Sequence, residues 1–259
     1  KEKGLKVFSL HASRDVLFGG RLPEPTDENL PELKTEVRKG KASLGFANDG
    51  DADRFGVVDE RGVFYSANQI LPLVLLHLVR DRKIKGGVVR SIATSHAIDR
   101  VAEKLGLELF ETPVGFKHID KLMLEQKIII GGEESGGLSI LGHIPEKDGL
   151  LANLLILELV AASRPAYGGA GKPLSKIFSA FQNEFGVVVN KRESMHLTEE
   201  QKQTLLKKLK TDPPTKLAEK KVKNIQTLDG FKFSFDDGSW LLLRPSGTEP
   251  IILVYAEAG

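Results

Sequence analysis

The sequence predicts a mixed-sheet α/β protein followed by a smaller α+β C-terminal unit. From "SANQILPLVLLHLVRDRK" (66–83) to about residue 163, helical and strand-like patterns alternate. That rhythm belongs to an α/β layer with a mostly parallel sheet. After "VVVNKRES" (187–194) a single charged helix precedes three β-rich runs, which is an α+β pattern. With 259 residues, 41% of them hydrophobic, the chain can bury cores for two or three units.

Taken in order, "LKVFSLH" (5–11) is β-rich and short, and "DVLFGGRLPEPTDENL" (15–30) is a loop broken by glycines and prolines. Asp27 is placed to cap a helix over "ENLPELKTEVRKG" (28–40), with Pro31 tolerated in its first turn. "ASLGFAN" (42–48) is a strand, and "FGVVDERGVFY" (55–65) a hairpin turning at "DERG", which puts Asp59 and Glu60 on its surface. The helix at 66–83 carries His77 as a partly buried core residue. Strand and helix then alternate: "GGVVRSI", "SHAIDRVAEKLG", "LELFETPVG", "FKHIDKLMLEQ" and "KIIIGGEES". "DGLLANLLILELVAAS" (148–163) is a buried helix, "RPAYGGAGKP" (164–173) a flexible break, and "LSKIFSAFQNEFG" (174–186) another helix. In "TEEQKQTLLKKLK" (198–210), Thr198 and Gln201 have capping-box spacing, and Glu199, Glu200 and the lysines after them form a solvated face. "FKFSFDD", "GSWLLLR" and "IILVYAEA" complete the chain as strands.

Composition narrows the function. The net charge is +2, and the densest basic run, Lys220 to Lys223, lies in a polar stretch without interleaved aromatics, so no nucleic acid is expected. The chain has no cysteine, which excludes disulfides and thiolate metal sites and fits a reducing compartment. The longest apolar runs are short and interrupted by Pro72, His77, Asn153 or Glu158, so no membrane span is expected. "KEKGLKVFSL" has no signal-peptide layout, and the chain starts without Met.

Three loops carry chemistry. In "NDGDADRF" (48–55), Asp49, Asp51 and Asp53 alternate, and on an extended chain i, i+2 and i+4 share one face. Their mutual repulsion is relieved by a hard divalent cation, with Mg²⁺ favoured and Ca²⁺ or Mn²⁺ open. Arg54 then offers a fixed positive charge beside the metal for a phosphate. An EF-hand is excluded, because its sixth position needs Gly and holds Arg54. The alternative is an exposed acidic turn. In "IIIGGEESGGLS" (128–139), Glu133, Glu134 and Ser135 between glycine pairs suit sugar hydroxyls; an ordinary glycine-rich turn is the alternative. In "LLLRPSGTEPIILVY" (241–255), Arg244, Ser246, Gly247 and Thr248 make an anion nest, or else a Pro-Gly hairpin with incidental polar residues. If the three loops face one cavity, they describe a sugar phosphate undergoing phosphoryl transfer.

These motifs, in this order, resemble the α-D-phosphohexomutases. "DGDADR" resembles the family's magnesium loop, which implies Asp49, Asp51 and Asp53 as ligands and Arg54 as a supporting phosphate contact. "GEESG" resembles the sugar-recognition loop and implies Glu133 and Ser135 on hexose hydroxyls. "TPVGFKHI" and "HIPEKDGL" are similar to segments near the active site and imply Lys117, His143 and Lys147 on the substrate side. "RPSGTEP" resembles the phosphate-binding loop of Arg244, Ser246, Gly247 and Thr248. The resemblance implies a cytoplasmic, Mg²⁺-dependent mutase interconverting hexose 1- and 6-phosphates through a phosphoserine and a bisphosphate such as glucose 1,6-bisphosphate.

Three departures accompany it. Nothing matches the family's "TASHNP"-type serine motif; "TSH" at Thr94–His96 is a superficial echo, and Ser95 is not taken as the nucleophile. The chain is therefore expected to be a C-terminal fragment, inactive alone, with part of the second family domain at 1–66, the third at 67–185 and the C-terminal phosphate-binding domain at 186–259. Leu253 stands where relatives usually carry Arg. Gly137 stands where some phosphomannomutase-type relatives have His, which leans towards glucose phosphates. Phosphomannomutase, a catalytically inert sugar-phosphate- or metal-binding fragment, and a metal-dependent phosphatase are the alternatives.

Overall fold

The computed structural model describes residues 5–40, 42–163, 171–247 and 249–259. Most of the 164–173 break and Thr248 lie outside the described residues. The described residues form three sheets. The first is a three-stranded antiparallel sheet of β1 (Gly45–Asn48), β2 (Phe55–Val58) and β3 (Phe64–Tyr65). The second has the order β5-β4-β6-β7, from β4 (Gly87–Ser91), β5 (Leu109–Thr112), β6 (Ile128–Gly132) and β7 (Leu138–Ile140). β4, β5 and β6 are parallel, and β7 closes the edge antiparallel. Its parallel strands are joined by α3 (Ala97–Lys104) and α4 (Phe116–Glu125).

Helix α2 (Ala67–Arg80) starts at a Ser66–Gln69 capping box and packs with α3 on one face of this sheet. Helix α4 covers the other face, burying Phe116 and Ile119 on Val89 and Ile128. Helix α5 (Gly149–Ala162) lies between α2 and the three-stranded sheet. Its inner residues Ala152, Leu155, Ile156 and Leu159 are buried, but Leu150 and Leu154 face solvent, so it is buried on one side only. Helix α6 (Leu174–Phe185) adds Phe181 and Phe185 to the same core.

The third sheet is antiparallel throughout, in the order β8-β13-β12-β11-β10-β9. Its strands are β8 (Val189–His196), β9 (Lys216–Leu217), β10 (Lys220–Gln226), β11 (Phe231–Phe235), β12 (Trp240–Pro245) and β13 (Ile251–Ala258). Alternation along β12 sorts its side chains: Trp240 and Leu242 face Ile92 and Ala93 of the α/β layer, while Leu241 and Leu243 join the cluster under α7 (Glu199–Thr211). Among the described residues, no helix is long and apolar enough to cross a membrane.

Several local expectations are corrected. "LKVFSLH" is not a strand: no neighbouring strand pairs with it among the described residues, and Leu5, Val7 and Phe8 are exposed. Asp27 does not cap α1 (Pro31–Arg38); it begins a separate 3₁₀ turn and pairs with Lys34 at 2.6 Å. Asp59 is fully buried because its carboxylate is satisfied, accepting from the Arg61 and Val63 N–H groups and the Tyr65 hydroxyl and pairing with Arg61. Glu60 is half-buried and accepts from Ser175. His77 is a core residue, 3% exposed and bonded to Asp81 at 2.7 Å. Lys202 leaves the solvated face of α7 and is buried. The basic run at 220–223 is exposed for the most part but forms strand β10.

Candidate active site

The aspartate loop spans 49–54, between β1 and β2, and is not an extended strand. The Asp49 carbonyl accepts from the Ala52 N–H at 3.2 Å, and Ala52 takes φ +61°. That left-handed conformation costs a non-glycine residue on the order of 1 kcal/mol and is held by its surroundings. The Ala52 carbonyl accepts the Gly149 N–H at 3.0 Å, and Asn48 donates to the Arg54 carbonyl at 2.9 Å. The turn still converges the acids: one oxygen from each of Asp49, Asp51 and Asp53 lies within 4.8 Å of the others. Asp49 accepts from the Arg54 backbone at 2.9 Å and from its Nε at 2.5 Å. Burial opposes the Asp49 charge, but these bonds outweigh it and lower its pKa. Asp53 moves the other way, raised by burial and by the charge of Asp49 against the pull of Lys147. Its Oδ2 meets Lys147 Nζ at 2.6 Å, while its Oδ1 is buried without a hydrogen-bond partner. An all-oxygen donor set with one orphaned buried oxygen fits a hard divalent cation.

The glycine-rich loop is built onto this one. Arg54 and Gly137 form a β-bridge, and the Gly137 carbonyl accepts from Glu133 N–H at 3.0 Å. Glu133 is 5% exposed, and its Oε1 accepts the Gly115 N–H at 2.7 Å. Burial, with the charge of Glu134, pushes its carboxyl up to about 7 against that hydrogen bond. Gly115 takes φ +123°, a conformation suited to glycine, which turns its N–H onto the acid. Glu134 accepts from Ser91 at 3.1 Å, and Ser135 is half-buried.

The C-terminal loop joins through Asp229. Its Oδ2 accepts from Val114 N–H at 3.0 Å and from Arg244 Nε at 2.7 Å, linking the segment beside Gly115 to the end of β12, where the C-terminal loop begins. Arg244 and Lys147 both act electrostatically on Glu133, so all three loops bear on one region. Buried Lys202 holds the C-terminal loop from behind, donating to the Ser246 carbonyl at 2.8 Å and the Glu249 carbonyl at 3.1 Å. Gly247 is open around its Cα. Leu253 pairs with Arg244 across β12 and β13 and packs in the cluster of Ile92, Trp240 and Tyr255.

Other sequence-predicted residues are less tightly placed. Lys117 is exposed at the start of α4. His143 is bonded to Asp148 at 3.0 Å, and Asp148 caps α5 through Leu151 N–H. Lys147, expected on the substrate side, reaches Asp53 of the aspartate loop with its ammonium. Asn48, Lys202 and Asp229 were not legible as site residues. Each is a common polar residue whose role arises from contacts far apart in sequence.

Matches to known proteins cover the chain domain by domain. The family models "Phosphoglucomutase/phosphomannomutase, alpha/beta/alpha domain II", "domain III" and "C-terminal domain" match residues 1–62, 66–185 and 197–259. A Thermococcus kodakarensis protein named phosphoglucomutase/phosphomannomutase is 36% identical over 100% of this chain and 52% of its own length. A Methanothermobacter thermautotrophicus protein named "Probable phosphoglucosamine mutase" is 34% identical over 99% of this chain and 53% of its own. The crystal structure of a phosphomannomutase homologue from Thermus thermophilus superposes with a TM-score of 0.75 at 34% identity, over 93% of this chain and 48% of that one. The chain thus spans about half the length of the curated relatives it matches. With the three domain models following one another along it and the loops tied together as described, the chain belongs to the phosphoglucomutase/phosphomannomutase family.

Proposed function

We propose that the protein is a Mg²⁺-dependent hexose-phosphate mutase, to which this chain contributes the metal, sugar and phosphate loops while the phosphoserine lies outside it. The observation that carries this is the unbroken set of contacts from Asp53 through Arg54, Gly137, Glu133, Gly115, Val114 and Asp229 to Arg244. In this reading Asp49, Asp51 and Asp53 hold the metal, and Arg54 supports the transferring phosphate. When bound, Mg²⁺ neutralises charge on that phosphoryl group. Glu133 and Ser135 take hexose hydroxyls, and Lys117, His143 and Lys147 line the substrate side. Arg244, Ser246, Gly247 and Thr248 grip the non-reacting phosphate, which supplies binding energy remote from the chemistry. A bound hexose 1,6-bisphosphate then turns over within the site between two transfers. The family matches support three units divided near 66/67 and 185/186.

Glucose phosphates are the proposed substrates, on the strength of Gly137. A relative named phosphoglucosamine mutase at 34% identity favours glucosamine phosphates as the second reading. Calorimetric titration with glucose 1-phosphate, mannose 1-phosphate and glucosamine 1-phosphate in Mg²⁺ ranks them directly. Arg244→Ala should weaken sugar-phosphate binding by about 10- to 100-fold, the worth of a hydrogen bond to a charged group, and leave Mg²⁺ affinity unchanged. Equal sugar-phosphate binding by wild type and Arg244→Ala would remove the C-terminal loop from the site.

A further inference from the structure

Lys147 is held between two acidic groups. Its Nζ lies 2.6 Å from Asp53 Oδ2 and 3.5 Å from Glu146 Oε1. Its stem is confined: a Cβ added at Gly137 would meet Lys147 Cδ and the Phe116 ring, each at 3.1 Å. Asp120 follows Phe116 by one turn of α4, so it lies on the same helix face. Its Oδ1 is buried with no hydrogen-bond partner. Burial and the charge of Glu146 raise the Asp120 carboxyl to about 6, and Lys147 opposes them electrostatically. The ammonium therefore sits on Asp53 of the aspartate triad with Glu146 at its other side, and the unpartnered Asp120 carboxylate lies one helical turn from the Phe116 ring that confines its stem.

Charge counting shows what a cation would do. Asp49 already has Arg54 at 2.5 Å, and Lys147 is the cation on Asp53. A divalent ion on the triad would place two further positive charges within a few ångströms of the ammonium, a repulsion the residual carboxylate charge no longer covers. Asp120 and Glu146 would then be the more favourable partners.

We propose that Lys147 is a resident competitor for the metal, seated on Asp53 when the triad is empty and transferred to Asp120 and Glu146 when a divalent cation binds. The exchange keeps the triad partly neutralised without metal and lowers metal affinity by the cost of moving the ammonium. Lys147 is in this respect a positioning residue. The proposal rests on the metal-binding reading given above.

The test is calorimetric titration of the protein with Mg²⁺ alone, without sugar phosphate. Lys147→Met, which keeps the stem and loses the charge, should bind Mg²⁺ about tenfold tighter than wild type, and Lys147→Arg should stay near wild type. Asp120→Asn should bind about threefold weaker, because the second berth is lost. In the Lys147→Met background, Asp120→Asn should have no effect, which a merely long-range charge effect would not give. Unchanged or weaker Mg²⁺ binding by a folded Lys147→Met would overturn the proposal, as would an Asp120→Asn effect equal in both backgrounds. A wild type that takes up no Mg²⁺ would overturn the metal reading and this proposal together. Mg²⁺ uptake without the Lys147 response would overturn this proposal alone.

Discussion

Glu133 contributes a pH response to the site. Its carboxyl keeps its proton up to about 7 in the folded protein, against an ordinary value of 4.5. Between those values the folded state binds more protons than the unfolded one, so stability falls as pH rises; below 4.5 both forms are protonated and the residue contributes no slope. Glu133→Gln keeps an oxygen for the Gly115 N–H and removes the ionisation. It should be more stable than wild type by about 1–3 kcal/mol at pH 8 and indistinguishable at pH 4, read from urea midpoints. An equal difference at both pH values would mean that ionisation of Glu133 is not the cause. Residues like this one are partly legible in sequence. Asp49, Asp51 and Asp53 stand out because three like charges in five positions need a reason, and Glu133 because acids between glycine pairs are conspicuous. Asp59 and Lys202 are not, since an acid in a "DERG" turn and a lysine in a charged helix look solvated. Their burial follows from partners that local pattern does not reveal: Tyr65 for one, the Ser246 and Glu249 carbonyls for the other.

At the scale of elements, the start of α5 decides the shape of the aspartate loop. A Cβ on Gly149 would lie 2.3 Å from Asn48 Nδ2 and 2.4 Å from the Arg54 carbonyl, and neither backbone nor clamped side chain can yield cheaply. Gly149→Ala should therefore push helix and loop apart, lowering stability by about 1–3 kcal/mol and weakening Mg²⁺ uptake together. Thermal unfolding with and without Mg²⁺ checks it: a variant with wild-type midpoint and wild-type Mg²⁺ shift would show that the contact is slack. The helix itself was legible from its apolar run, but the approach of its first residue to Arg54 was not, because that contact spans 95 positions of sequence. Strands failed where their pattern is ambiguous. β10 is a lysine-rich strand next to the short edge strand β9, polar on both faces over much of its length, so alternation gives no signal. "LKVFSLH" has the composition of a strand but pairs with none among the described residues.

At the scale of the whole molecule, a buried polar seam joins the C-terminal sheet to the α/β layer. Lys232 on β11 is 1% exposed and donates to the Ile92 carbonyl at 2.8 Å and to His96 Nε2 at 2.9 Å, with its Nζ 4.3 Å from the Trp240 ring centre. Glu257 accepts from His96 N–H and from Trp240 Nε1, and Arg90 binds Asp99 and Glu111 beside them. Burial, and then the charge of Lys232, drive His96 down to about 2, so its ring is neutral and free to accept the lysine proton donor. Burial and Arg90 lower Lys232 to about 8, which leaves it an ammonium at neutral pH. Such a charge is costly to bury, yet removing it strands its partners: Lys232→Met leaves the Ile92 carbonyl and His96 Nε2 without the lysine donor in a buried interface. The loss, about 2–4 kcal/mol, falls on the union of two units that each keep their own core. Calorimetry should therefore split a single wild-type transition into two in Lys232→Met, and His96 should titrate at higher pH by NMR because a neighbouring positive charge is gone. One unsplit transition at the wild-type midpoint, with His96 unmoved, would show that the seam does not hold Arg244 and Glu133 in register and that the apolar packing of Trp240, Leu242 and Leu253 does so unaided.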